Sequence, residues 1–390
     1  MPKRPGFEAK GRFGLVTPAK VSEINSADSF LGNAGAIKTN LQQPRLRGLR
    51  MRIDAYTHFF PKKFFDKMLE VAGQYKDMGK RVRAIPPLHD LDARKKIIDG
   101  HKNYAQILAY PQPPIENFAK NPQQIDEFIR IINDGFAELC AKERDYFPGW
   151  IAQISLDAPD AGVAEAERAI NQLGALGVQI YTNVAGKPID RPQYLPFWKK
   201  MNDLGKPIWL HPARGANMPD YADEKKSLYE IWWTFGWSYE TATAMARLVF
   251  SKIMDNHPNL KIITHHFGGI VPMLEGRIGP GWDVLGSRTS DEDYVALRKS
   301  LRKRPLDYFK QDFYADTAVF GATPATKCGL EFFPIDKIVF ASDCPFDPEN
   351  GSMYPRETLR ILESLKLDKE TSDKIFFKNL ERVTGRKLVK

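Results

Sequence analysis

The 390-residue chain has only three cysteines, Cys140, Cys328 and Cys344, and no CxxC pair. This excludes a disulfide framework and a thiolate metal knuckle, and it fits a reducing cytoplasm. No window approaches 18 consecutive apolar residues, so no membrane span is expected. The opening MPKRPGFEAKGRFGLV lacks the apolar core of a secretory signal, which argues against export. Internal repeats and low-complexity tracts are absent. No GxGxxG turn follows the first apolar run, which argues against a dinucleotide-binding doubly wound sheet.

What is present is an ordinary globular composition: 43% hydrophobic, 27% charged and 12% aromatic residues, enough to bury a large core. The net charge of +9 raises the question of nucleic acid. Residues 1–50 carry nine Lys/Arg against three Asp/Glu, so they supply +6 and leave +3 for the other 340 residues. Their basic positions are scattered among Gly, Pro, Ser and Asn, with no arginine-rich helix or aromatic-interleaved stripe. We therefore expect a basic N-terminal extension over 1–50, a single domain over 51–390, and no nucleic-acid partner.

From residue 51, short β-rich runs alternate with longer stretches of helical periodicity. The eight runs are 52–56, 104–110, 149–156, 177–182, 207–212, 261–266, 312–317 and 337–343. Several are continuously apolar, as strands buried on both faces are. Helical spacing marks 121–143, 160–176, 238–256 and 371–388, with Asp157 and Ser238 as expected N-caps and the last helix expected on the exterior. Eight such repeats predict an α/β fold, a (β/α)₈ TIM barrel.

A barrel of this kind places its active site at the C-terminal ends of the strands. Four runs end in metal-ligand residue types: Tyr56 and His58 on the first, His211 on the fifth, His265 and His266 on the sixth, and Asp343 on the eighth. Each histidine alone reads more readily as a structural hydrogen-bonding group. Together they suggest one divalent ion, since imidazoles plus a carboxylate suit Zn, Mn or Fe. His89, His101 and His257 fall in polar loops and are read as surface residues.

The segments IDAYTHFFP, GWSYETATAMARLVFSKIMDNHPNLKIITHHFGGIVP and VFASDCPFDPENG resemble the amidohydrolase-related family that includes aminocarboxymuconate semialdehyde decarboxylase and the resorcylate-type decarboxylases. The resemblance spans about residues 51–385 and implies an amidohydrolase-like barrel. It implies metal binding by a His-x-His on strand 1, a His on strand 5 and an Asp on strand 8, and acid–base work by the His of an HxGG motif. These carry over to His58, His211, Asp343 and His266. The first member of the strand 1 pair is Tyr56 here, where some family decarboxylases have Glu. As a metal-bound tyrosinate it would favour Fe or Mn over Zn.

The resemblance also implies a small carboxylic acid substrate, for which Arg214 and Arg277 are the candidate anchors. In family dimers an arginine at the place of Arg277 can reach the neighbouring subunit's site. Asp316 is a candidate partner of a ligand or an extra ligand, and Gln179 and Tyr181 are candidate pocket residues. Trp232, Trp233, Phe235 and Trp237 read either as a pocket wall or as core or dimer interface. The leading expectation is a metal-dependent decarboxylase, or hydrolase, of a small aromatic or unsaturated acid. Two others stand beside it. One is a dinuclear Fe/Fe or Mn/Fe monooxygenase resembling the isobutyrate hydroxylase type, with His265 and His266 at a second metal. The other is an inactive subunit paired with an active paralogue, motivated by Tyr56.

Overall fold

The computed structural model of the protein describes residues 51–71 and 76–389. The basic extension over 1–50 lies outside the described residues. Among the described residues, eight parallel strands follow one another: β1 (Arg52–His58), β2 (Tyr104–Ala109), β3 (Gly149–Trp150 continuing as Ala152–Gln153), β4 (Val178–Tyr181), β5 (Pro207–His211), β6 (Lys261–Thr264), β7 (Phe313–Asp316) and β8 (Ile338–Val339). Each pairs in parallel with the next through the ladders from β1 to β3 and from β3 to β8. At Ile151 the two ladders join, because its N–H donates to Leu108 while that of Ala152 donates to Gly177. The cylinder closes where the N–H groups of Ala55 and His58 donate to the carbonyls of Phe340 and Cys344, each at 2.8 Å. The expected (β/α)₈ barrel is therefore observed.

Alternation explains why the strands read as unbroken apolar runs. Ile53, Ile107, Ile151, Trp209, Ile263, Tyr314 and Val339 fill the barrel interior, while Leu108, Ile208, Leu210, Ile262 and Phe313 pack outward against the helices. The register of β1 on β2 shifts between Asp54 and Thr57, and this irregularity puts both Ala55 and Tyr56 in the interior cluster.

Two local expectations are corrected. The helix Pro159–Asn171 begins at its proline with Ala158 at the cap, so Asp157 lies one residue too early to cap it. Ser238 lies inside the helix Gly236–Phe250 rather than before it. Side-chain caps form elsewhere, at Asp90 and Asn121. The C-terminal stretch, also expected on the exterior, instead closes the N-terminal end of the barrel. Leu380, Val383 and Leu388 join the interior cluster, and Lys206 and Lys261, just before and at the start of strands, bond the carbonyls of Thr384 and Val383. That seal leaves the opposite end for chemistry.

Candidate active site

At the C-terminal end, β1, β5 and β6 each direct an imidazole inward. His58 Nδ1 bonds the Tyr110 carbonyl at 3.1 Å, His211 Nδ1 the Pro212 carbonyl at 2.7 Å, and His265 Nδ1 the Asp316 carboxylate at 2.6 Å. With each Nδ1 turned to an oxygen, each Nε2 is the ring nitrogen left to face a cation. These three histidines form one group whose ligand atoms lie within 4.8 Å of one another, and His265, His266 and Asp343 form another. His58 Nε2 is 2.9 Å from Asp343 Oδ1, yet the Nε2 atoms of His58, His265 and His266 are buried and make no hydrogen bond. Buried nitrogens without partners, facing a carboxylate, fit a divalent cation better than they fit a protein core.

The electrostatics agree. Burial, then the charges of His58 and His265, hold His211 well below the usual histidine range, so it is a neutral donor. Burial opposes ionisation of Asp343, but the imidazoles of His265, His266 and His58 close around it outweigh that and hold the carboxyl well below the usual range. Burial also disfavours charge on His265, yet Asp316 and then Asp343 push it up to about 10. Burial and the neighbouring His265 hold His266 below its ordinary value.

The adjacent histidines part company because of the backbone. His265 is extended, whereas His266 and Phe267 have φ of 55° and 50°, and the following glycines 70° and 65°. His266 thereby turns out of the barrel interior into a cavity of about 260 Å³. The glycines serve close approach as well as space, since a Cβ on Gly269 would lie 2.2 Å from the Ser238 carbonyl oxygen. Asp343 likewise has φ of 67°, a strained conformation that the closure to β1 maintains.

Trp233, Trp237, Phe320, Phe346 and Tyr354 wall this cavity, and His211, His266 and Asp343 reach it. Of the expected aromatic stretch, Trp233 and Trp237 line the cavity, while Phe235 is exposed. Gln179 and Tyr181 are buried beneath it, and Tyr56 donates its hydroxyl to Gln179 Oε1 at 2.6 Å. Burial and the carboxylates of Asp316 and Asp343 keep that phenol well above its ordinary pKa.

Neither Arg214 nor Arg277 lines this chain's cavity. The Arg214 guanidinium bonds the carbonyls of Met218 and Pro219 and lies 3.6 Å from Glu240, so it organises the loop after β5. Arg277 is exposed on the helix Glu275–Asp283, outside this chain's cavity. The arginine that does line it is Arg81, from the helix Lys76–Arg83, held by the Phe346 carbonyl at 2.9 Å and lying over the rings of Phe346 and Trp233. Sequence reasoning missed it, because nothing in that polar segment signals a path over the barrel mouth.

Sequence reasoning also missed the buried polar layer beneath the site. Asp54 accepts from Tyr104 at 2.5 Å and from both the N–H and hydroxyl of Ser342, next to Asp343. Arg94, fully buried, donates to the carbonyl of His58, to Cys344 Sγ at 2.9 Å and to Gln106 at 3.2 Å. It thus ties together the strand ends that carry His58 and Asp343.

A closed (β/α)₈ barrel with histidines on strands 1, 5 and 6 and an aspartate after strand 8 defines a metal-dependent hydrolase-type architecture. The chain belongs to the amidohydrolase family, which matches residues 53–386. It is 31% identical over 301 residues to a gamma-resorcylate decarboxylase of Rhizobium sp., covering 74% of this chain and 86% of that one. A solved 2,6-dihydroxybenzoate decarboxylase from Rhizobium superimposes with a TM-score of 0.68 at 26% identity, covering 86% of this chain and 99% of the other. A dihydroxybenzoic acid decarboxylase from Polaromonas sp., with bound manganese and 2-nitroresorcinol, shares the fold at a TM-score of 0.68 and 24% identity, covering 86% and 97%.

Proposed function

We propose that the chain is a metal-dependent, non-oxidative decarboxylase of a small aromatic carboxylic acid. The observation that carries this reading is the cavity itself. One aromatic-walled space is lined by three kinds of group: His211 and Asp343, suited to a cation; the Arg81 guanidinium, suited to a carboxylate; and His266, free to move a proton. His58, His211 and Asp343 would hold the ion, for which manganese is the first choice given the Polaromonas protein. When bound it would supply a Lewis acid for a substrate oxygen.

The remaining work falls to the chain's own residues. Arg81, whose guanidinium lies over Trp233 and Phe346, binds the substrate carboxylate beside these walls. Those walls keep water from the carbon that loses CO₂. His266, whose Nε2 is buried without a partner and whose ring reaches the cavity, delivers the proton that replaces the lost carboxyl group. Decarboxylase names on the reported relatives support this reading over the oxygenase and the silent subunit. Pairing of two copies, with Arg277 serving the neighbour's cavity, is supported by the exposed apolar Tyr239 and Met273 beside the contact of Ile270 with Ser238. Among the described residues no helix is long and apolar enough to cross a membrane.

The test is product analysis with hydroxybenzoates, beginning with 2,6-dihydroxybenzoate, in D₂O with manganese-loaded protein. The reading expects CO₂ and a phenol carrying one deuterium at the carbon that lost it. A hydroxylated product, or hydrolysis of an added ester or amide with no CO₂ from any acid, would replace it.

A further inference from the structure

The strand 1 position that resembles a metal ligand in the family is a tyrosine here, while strand 6 ends in two histidines rather than one working histidine. We propose that His265 takes the ligand place that Tyr56 leaves, so that the ion sits among the Nε2 atoms of His58, His211 and His265 and the carboxylate of Asp343. The inference rests on the metal reading above and fixes which side chains complete it.

Tyr56 is committed elsewhere. Its hydroxyl donates to Gln179 Oε1 at 2.6 Å. The Gln179 amide cannot turn over to accept a different role, because its Nε2 donates to the Tyr110 carbonyl and to Gln153 Oε1, each at 3.0 Å. Reversal would face an amide oxygen with two acceptors. The amide oxygen therefore stays toward Tyr56, and the phenol keeps its proton as a donor. A ligating tyrosinate would set its charge against that fixed oxygen.

His265 shows the opposite pattern. It is fully buried, and Asp316 fixes its ring by taking Nδ1–H at 2.6 Å with one oxygen. The other oxygen of Asp316 accepts the N–H groups of His266 at 3.0 Å and Ala318 at 3.1 Å, so the carboxylate is itself immobile. Carboxylate–histidine pairs of this kind orient and strengthen a ligating nitrogen. The Nε2 so aimed has no hydrogen-bond partner, and an unsatisfied buried group costs about 1–3 kcal/mol, a loss that ligation removes. It also belongs to the same group of mutually close ligand atoms as His58 and His211. His266 lies against His265, ring centroids 3.6 Å apart, but it is the one of the two whose ring reaches the cavity, and it remains for the proton.

The experiment uses manganese as the probe and reads metal binding rather than turnover. X-ray absorption of the manganese-loaded wild-type protein should show three imidazoles; two would overturn the proposal. Chelator competition should show His265→Gln binding manganese at least about 100-fold more weakly, with Tyr56→Phe within about threefold of wild type. The reverse order would overturn it. His211→Asn separates the two readings. If it loses the ion while His265→Gln keeps it, only the present inference fails. If His211→Asn also keeps it, the metal reading itself fails. Should His265→Gln not fold, as judged by circular dichroism, the wild-type imidazole count decides.

Discussion

Replacing Arg81 with glutamine removes the one guanidinium that lines the cavity among the described residues, while leaving a side chain that can still reach the Phe346 carbonyl. A hydrogen bond to a charged group contributes about 1.5–3 kcal/mol. Arg81 is half-buried at the cavity mouth, which places the effect toward the lower end of that span. At about 1.4 kcal/mol per decade, KM for 2,6-dihydroxybenzoate should rise roughly 10- to 50-fold. The contact exists before the bond breaks, so kcat should fall far less than kcat/KM. Arg81→Lys keeps the charge but loses the planar fork and the stacking on Trp233 and Phe346, and should fall between the two. Steady-state kinetics with the acid, paired with inhibition by resorcinol, make the assay specific. Resorcinol has no carboxylate, so its inhibition constant should not change. An unchanged KM, or equal weakening of acid and resorcinol, would refute the reasoning and leave Arg81 as wall only.

Three further outcomes follow from the geometry. His266→Asn should retain manganese and fold while losing roughly 10² or more in kcat, read by CO₂ release; full activity would remove it from the proton's path. Gly269→Ala, with φ of 65° and a Cβ 2.2 Å from the Ser238 oxygen, should lower stability by at least about 2 kcal/mol in urea denaturation, and a neutral result would contradict the packing described. Burial pushes Asp54 up from 3.8 to about 7, against the bonds from Ser342 and Tyr104. The folded chain therefore holds that proton more tightly than the unfolded one, and its contribution is full below about pH 4 and lost as pH rises through about 7. In metal-free protein Asp54→Asn should flatten the fall in stability between about pH 4 and 7, by at most roughly 4 kcal/mol, and an identical slope would exclude the assignment.

The barrel was legible because burial on both faces writes itself into unbroken runs such as KIITHH, and because ligand-type residues recur where those runs stop. The placement of His58, His211, His265, His266 and Asp343 at or just after strand ends was readable in this way. The roles of neighbours were not, since they depend on contacts between distant segments. Tyr56 stands at a ligand-type position, yet its hydroxyl donates a hydrogen bond to Gln179, 123 residues away. Arg214 lies three residues after His211, yet its guanidinium turns to the loop carbonyls, whereas Arg81 reaches the cavity from a polar segment between strands 1 and 2. Caps at Asp157 and Ser238 failed by one to three residues because a proline and a glycine begin those helices instead. Asp54 and Arg94 carry no local signal at all, and only the fold puts them beneath the strand ends.

Titrating metal-free protein with manganese while following CO₂ release from 2,6-dihydroxybenzoate tests the central claim most directly. Activity should rise in proportion to added metal and level off at one equivalent per chain, with no uptake of dioxygen. Fully loaded protein that releases no CO₂ from any hydroxybenzoate, or turnover that consumes dioxygen, would contradict the account.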